Sequence, residues 1–239
     1  EMVEFPVPAY LFETEEGYVL YDTGCHPDCM GENGRWPVEF QNQVPYEGDE
    51  TTTIFYQLEQ LGVKPDEIKT VILSHMHNDH AGCVEYFPNA EFIVHKDEFN
   101  ACIGAYAQHR YMDSYIWKDT DVWIKKKLNW KFLECGEGDY QVCPGLTILN
   151  LGPGHARGVL ALKVDLEKTG TIIITSDAVY CSENYEQERE PGVIYDTVGW
   201  RRSLKYIKKV AKDSNAQVWF GHDRKQFDTL VKAQGGYYE

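Results

Sequence analysis

Two apolar periods divide the chain. Residues 9–12 (AYLF) and 18–21 (YVLY) are β-prone runs on either side of a polar, glycine-ended stretch at 13–17, which predicts a hairpin broken off by Asp22, Thr23 and Gly24. Residues 26–50 are rich in Gly, Pro, Asn and acid, hold no sustained period and read as a long functional loop. From Thr51 the spacing turns helical. Ile54, Phe55, Leu58 and Leu61 share one face, a threonine is available to cap the start, and Gly62 stops the run. Residues 70–73 (TVIL) and 91–94 (EFIV) are short apolar runs of buried-strand type. The stretch 95–130 reads as helical, has no proline, and is dense in aromatics (Tyr106, Tyr111, Tyr115, Trp117, Trp123, Trp130), a density that suits core or a lid. Strands are expected at 140–151, 159–165 and 171–175, punctuated by Pro144-Gly145, Gly152-Pro153-Gly154 and Gly170. Trp200, Leu204, Ile207 and Val210 mark a further helix, and 217–220 (QVWF) a last strand. Strands interleaved with helices make an α/β chain of stacked layers, expected as one domain over 1–239.

Chemistry-bearing residues collect where these strands stop. His75, His77, Asp79 and His80 come just after Leu73, His155 after LNLGPG, Asp177 after ITS, and His222 after WFG. Histidine is scarce, 8 in the chain, yet three fall within residues 75–80, which points to a metal. In an extended segment alternate side chains share a face, so His75 and His77 can grip one ion from one side. Asp79 and His80 then turn away as the chain curls at Ala81-Gly82, which suits a second ion close by. The count assigns His75, His77 and His155 to one ion and Asp79, His80 and His222 to the other, with Asp177 bridging. Imidazole-rich, carboxylate-bridged ligation suits two divalent cations, zinc first, with iron, manganese or cobalt also fitting. A paired site of this kind leaves positions for water, whereas structural zinc is closed by four ligands.

His75-Met76-His77-Asn78-Asp79-His80 spells HxHxDH, and with His155, Asp177 and His222 at matching places the chain resembles the metallo-β-lactamase superfamily over nearly its full length. The resemblance implies an αββα sandwich. Within that superfamily it is most similar to the N-acyl homoserine lactone lactonases, through the hairpin and turn at 11–24, HxHxDHAG at 75–82, PGH at 153–155 and FGHD at 220–223. That similarity implies a lactonase in which a metal-bridging hydroxide attacks the ester carbonyl. Tyr180, three residues past the bridging aspartate, would help bind the lactone and steady the oxyanion. Asp79 would shuttle a proton to the departing oxygen, and Asp22 would orient a ligand histidine. Trp36 and Phe40 stand where the family clamps the acyl chain, with ordinary loop packing as the other reading. Asn78 replaces an aromatic of several lactonases and Arg157 lies in a segment they usually write Ser-Pro-Gly-His; both reshape the pocket. The family's extra N-terminal strand and loop are not seen, and Glu1 before Met2 suggests that part of that wall is missing. Family members are often homodimers.

The same ligands serve thioesterases, phosphodiesterases and organophosphate hydrolases, and fold does not settle substrate. A flavodiiron-like redox protein would carry Glu where His77 stands. The net charge of -15 argues against nucleic acid and anionic membranes, and Lys125, Lys126 and Lys127 read as a solvated helix face. Seven cysteines without CxxC pairing suit free thiols in a reducing, cytoplasmic setting, although Cys25, His26 and Cys29 offer donors for a further metal site. No apolar run approaches a membrane span and no leader pattern opens the chain.

Overall fold

The computed structural model describes residues 3–110 and 114–239, so Tyr111 and the Glu1-Met2 start lie outside the described residues. The fold comprises two compact units. One is Ala9–Val94 with Phe99–Phe132; the other holds the residues up to Pro8, His95–Glu98 and Leu133–Glu239.

In the first unit a five-stranded sheet runs in chain order: β1 (Tyr10–Thr14), β2 (Gly17–Tyr21), β3 (Ile68–Ile72), β4 (Glu91–His95) and β5 (Asn129–Leu133). The expected hairpin is β1 and β2, antiparallel from Tyr10 opposite Tyr21 to Thr14 opposite Gly17. Gly17 sits at φ 115°, a conformation that favours glycine, which explains its place at the end of the polar turn. β3 pairs in parallel with β2 and β4, and its Ile68, Val71 and Ile72 are fully buried, as a continuous apolar run on an inner strand requires. Ile68 and Val71 join Leu20, Leu73, Phe87, Phe92 and Trp123 in one core.

Two expectations need correction, the loop at 26–50 and the helix at 95–130. The loop 26–50 contains a short helix, α1 (Val38–Gln43), where Gln41 fastens its own loop by donating to the carbonyls of Gly31 and Trp36. The expected capped helix is α2 (Ile54–Gln60), with Thr53 Oγ1 accepting from Tyr56 N and Gly62 at φ 71° beyond its end. The stretch 95–130 is not one helix. It divides into α3 (Lys96–Ala107) and α4 (Trp117–Lys126), followed by the start of β5. The breaks fall at His109, Ser114 and Lys127, all non-glycine residues at positive φ, so no glycine or proline announces them.

The second unit carries a five-stranded sheet in the order β10-β9-β8-β7-β6, from β6 (Tyr140–Cys143), β7 (Leu146–Gly152), β8 (Val159–Leu166), β9 (Gly170–Ile174) and β10 (Gln217–Trp219). β6 to β9 form antiparallel neighbours, while β10 joins β9 in parallel after α5 (Ser182–Gln187) and α6 (Thr197–Ser214). Asp196 caps α6 by accepting from Val198 N. Trp200, Leu204, Ile207 and Ala211 lie on its buried stripe with Leu149, Val159 and Ile173. A last helix, α7 (Arg224–Thr229), follows β10. The chain is therefore mixed α/β with two mixed sheets, in the class expected. No helix among the described residues is long and apolar enough to cross a membrane.

Candidate metal centre

In the first unit the histidine cluster begins where β3 stops. Leu73 N still pairs with Ile93 O, and Ser74 N then donates to Asp22 Oδ1 at 2.7 Å. The chain next turns on itself, with the amides of His80 and Ala81 donating to His77 O. The residues after β2 clamp this turn. Thr23 N and Oγ1 both donate to His80 O, Cys83 N donates to Thr23 Oγ1, and Gly82 N donates to Gly24 O. Gly82 is required because a Cβ there would meet His26 N at 2.3 Å.

Two imidazoles of this turn are held by their Nδ1 atoms. His80 Nδ1 lies 2.8 Å from Asp22 Oδ2, and His75 Nδ1 lies 3.0 Å from Ser74 Oγ. The rings of His77 and His80 lie 4.4 and 4.3 Å from that of His75, and all three are buried. Asp79 is the more open member, with a quarter of its side chain exposed and Oδ2 at 3.4 Å from His80 Nε2. Burial pushes the Asp22 carboxyl up from its ordinary value, while His80 and the Ser74 amide pull it back.

In the second unit three strand ends supply the remaining donors. β7 ends at Gly152 and leads through Pro153-Gly154 to His155, whose Nδ1 donates to Val193 O at 3.0 Å. β9 leads through Thr175 to Asp177, and β10 leads through Phe220-Gly221 to His222, whose Nδ1 donates to Pro6 O at 2.8 Å. Thr175 ties the two strand ends by donating N and Oγ1 to Trp219 O. Gly221 is needed because a Cβ would meet Ser176 O at 2.6 Å.

Asp177 turns one oxygen to each imidazole: Oδ2 is 3.2 Å from His155 Nε2 and Oδ1 is 2.9 Å from His222 Nε2. Both rings spend their Nδ1 proton on a backbone carbonyl, so in the neutral form each Nε2 is a bare lone pair. A lone pair set against a carboxylate oxygen in a buried place calls for positive charge, which a divalent cation would supply. The donor set thus fits a carboxylate-bridged pair of ions. The candidate donors are His75, His77, Asp79 and His80 in the first unit and His155, Asp177 and His222 in the second, the seven residues read from the sequence.

Tyr180 stands beside these donors, its hydroxyl 3.2 Å from His155 Nδ1 and its ring edge-on to His222 at 5.1 Å. Trp36 and Phe40 are buried edge-to-face at 5.3 Å within their own loop. Cys25 and Cys29 do not gain the imidazole beside them, because His26 is engaged at both nitrogens by Tyr86 OH and Asp28 N. Asn78 N donates to Ser114 O, and the Arg157 guanidinium lies 3.6 Å over the Tyr195 ring.

Several supporting groups carry no sequence signal. The Val193 and Pro6 carbonyls that orient His155 and His222 are backbone atoms, which any residue type would present. Arg35 is another. It pairs with Glu85 at 2.7 Å and with Asp119 at 2.8 Å, fastening the long loop to α4. Burial pushes the Asp119 carboxyl up to about 7 against the pull of Arg35, whereas at Glu85 the same arginine overcomes burial and holds the carboxyl low.

The N-acyl homoserine lactonase AiiB of Agrobacterium fabrum is 44% identical over all of this chain and 87% of its own length. The N-acyl homoserine lactonase AiiA of Bacillus thuringiensis subsp. kurstaki is 34% identical, over 95% of this chain and 84% of its own. A crystal structure of a B. thuringiensis AiiA mutant with N-decanoyl-L-homoserine bound at the active site superposes with a TM-score of 0.78 at 33% identity, over 98% of this chain and 87% of that one. A second solved structure, of an N-acyl homoserine lactone hydrolase with N-hexanoyl-L-homoserine bound at its catalytic metal centre, gives the same TM-score, identity and coverage. The Metallo-beta-lactamase superfamily model matches residues 2–222, a span that contains every candidate ligand from His75 to His222, and the chain belongs to that superfamily.

Proposed function

We propose that this protein is a two-metal hydrolase that opens the ring of N-acyl homoserine lactones, a quorum-quenching reaction. The observation that carries the reading is the Asp177 carboxylate set between two imidazoles whose outer nitrogens are already committed to backbone carbonyls. Relatives named N-acyl homoserine lactonases along the whole chain supply the substrate class. His75, His77 and His155 would hold one ion and Asp79, His80 and His222 the other, with Asp177 as the shared carboxylate. Zinc suits this donor set best. When bound, the two ions supply an activated water and polarise the ester carbonyl.

The chain's own side chains do the rest. His155 donates its Nδ1 proton to Val193 O, so the Tyr180 hydroxyl meets that nitrogen as an acceptor and keeps its own proton for the oxygen that gains charge. Asp79 is open enough to carry a proton to the leaving oxygen. Trp36 and Phe40 wall the acyl side, supported by their pairing with each other and with Tyr46 in the long loop. The two units act as one domain over 1–239, a reading supported by the span of the family match. A cytoplasmic setting suits seven cysteines of which none is joined in a disulfide. A homodimer suits the exposed apolar side chains Val193, Tyr195 and Val198, and sedimentation of the loaded protein tests it.

The decisive experiment follows base uptake by protein of measured zinc content on N-acyl homoserine lactones, thioesters and phosphodiesters. Lactone opening faster than the other two is expected. Thioester or phosphodiester cleavage without lactone opening would overturn the assignment.

A further inference from the structure

In the second unit the segment that carries His155 is held at two places. Upstream, Tyr195 N donates to the carbonyls of Gly154 and His155, Asp196 N donates to Gly154 O, and Val193 O takes the His155 Nδ1 proton. Downstream, the segment meets His95 to Glu98, the last residue of β4 and the opening of α3, which belong to the same unit. One carboxylate oxygen of Glu98, Oε2, accepts from two consecutive amides, Arg157 N at 2.9 Å and Gly158 N at 3.2 Å. Glu98 and His95 are fully buried. The His95 ring fills the space at residue 158, where a Cβ would meet its Nδ1 at 2.2 Å and its Cγ at 2.3 Å, so glycine is required there. Asp97 N fixes that ring by donating to Nδ1 at 3.2 Å. An acid in the first turn of a helix ordinarily serves the unpaired amides of its own helix. Here Oε2 is committed to another segment, and burying a carboxylate is tolerable only where such donors meet it.

We infer that Glu98 is a positioning residue for His155: by clamping the two amides that begin two residues beyond it, the carboxylate sets where the imidazole stands. The inference rests on the two-metal reading for what His155 holds, while the clamp itself rests on the geometry alone. Because one oxygen serves both amides, the single carbonyl of a glutamine can replace it. Alanine strands two buried donors, and aspartate falls short by one methylene.

The test compares the full chain as wild type, Glu98→Ala, Glu98→Asp and Glu98→Gln. Amide hydrogen exchange of the metal-free proteins is followed by NMR, and zinc is titrated against a chromophoric chelator. In Glu98→Ala exchange is expected to rise about tenfold at Arg157 and Gly158 and also at Tyr195 and Asp196, whose amides hold the other side of His155, while Leu204 and Ile207 in α6 keep their protection. Affinity for the ion proposed for His75, His77 and His155 should fall about tenfold, with the other ion affected less. Glu98→Asp should show the same pattern in weaker form, and it carries the test if the alanine variant does not fold. Glu98→Gln should restore both readings. Exchange that rises only at Arg157 and Gly158, or evenly through α6, would make Glu98 a local or general brace and overturn the inference. Two ions bound as tightly as in wild type, two ions weakened equally, or a glutamine variant as impaired as alanine would overturn it as well. A wild type that binds no zinc sinks the two-metal reading alone, and Glu98 is then judged by whether Tyr195 and Asp196 exchange faster in the metal-free variants.

Discussion

Asp22→Asn preserves the size of a buried side chain and removes one acceptor. The carboxylate serves two donors at once, Ser74 N–H through Oδ1 at 2.7 Å and His80 Nδ1 through Oδ2 at 2.8 Å. An amide has one oxygen. If that oxygen stays on Ser74, the amide hydrogens face Nδ1 and favour the His80 tautomer with its proton on Nε2, the atom assigned to the ion. If the oxygen turns to His80, a buried backbone N–H is left against an N–H donor. Either arrangement costs about 1.5–3 kcal/mol, the value of a hydrogen bond to a charged group. Affinity for the ion proposed for Asp79, His80 and His222 should therefore fall roughly 10- to 100-fold, in line with losses on removing partners of metal-binding histidines. Zinc titrated against a chromophoric chelator resolves the two sites, and the thermal midpoint of metal-free protein separates any cost to the fold. The ion on His75, His77 and His155 should be affected less. A folded Asp22→Asn protein that binds both ions as tightly as wild type would refute the reasoning.

Asp79→Asn with both ions retained should lower kcat about 10²–10⁴-fold, and turnover at the wild-type rate would exclude the proton-shuttle role. Chelation of the metals should abolish lactone opening and lower the thermal midpoint, both recovered on adding zinc back; a midpoint indifferent to chelator would show that the ions do not bind the folded chain. Burial pushes Asp119 from its ordinary 3.8 up to about 7, so the fold prefers the protonated acid. The stability this contributes is complete below the ordinary value and is lost as pH rises through about 7. Wild type should thus lose stability relative to Asp119→Asn between those pH values, on the order of 4 kcal/mol at most, and parallel denaturant midpoints across that range would contradict it. Arg35→Ala should cost about 3–5 kcal/mol by stranding Glu85 and Asp119, read as a lowered urea midpoint with an unchanged slope.

What could be read from the sequence was whatever repeats or terminates. The β1–β2 hairpin, α2 with its threonine cap, and the α6 stripe follow from apolar period and end signals, and the seven candidate ligands stood out because they follow apolar runs where strands stop. What could not be read lacked a local residue signal. The break between α3 and α4 passes through non-glycine residues in left-handed conformations, which tertiary contacts impose without a compositional mark. α1 is too short to show a period. Arg35, Glu85 and Asp119 are far apart in sequence and ordinary as types, so only the folded loop shows that they form one network.

His155 and His222 are steered by main-chain oxygens, those of Val193 and Pro6. A carbonyl is indifferent to the side chain attached next to it. The side chain at 193 can therefore vary while the oxygen that aims His155 stays where it is. What these stretches must preserve is the path of the main chain, so an insertion or deletion there would disturb the imidazoles where a substitution need not.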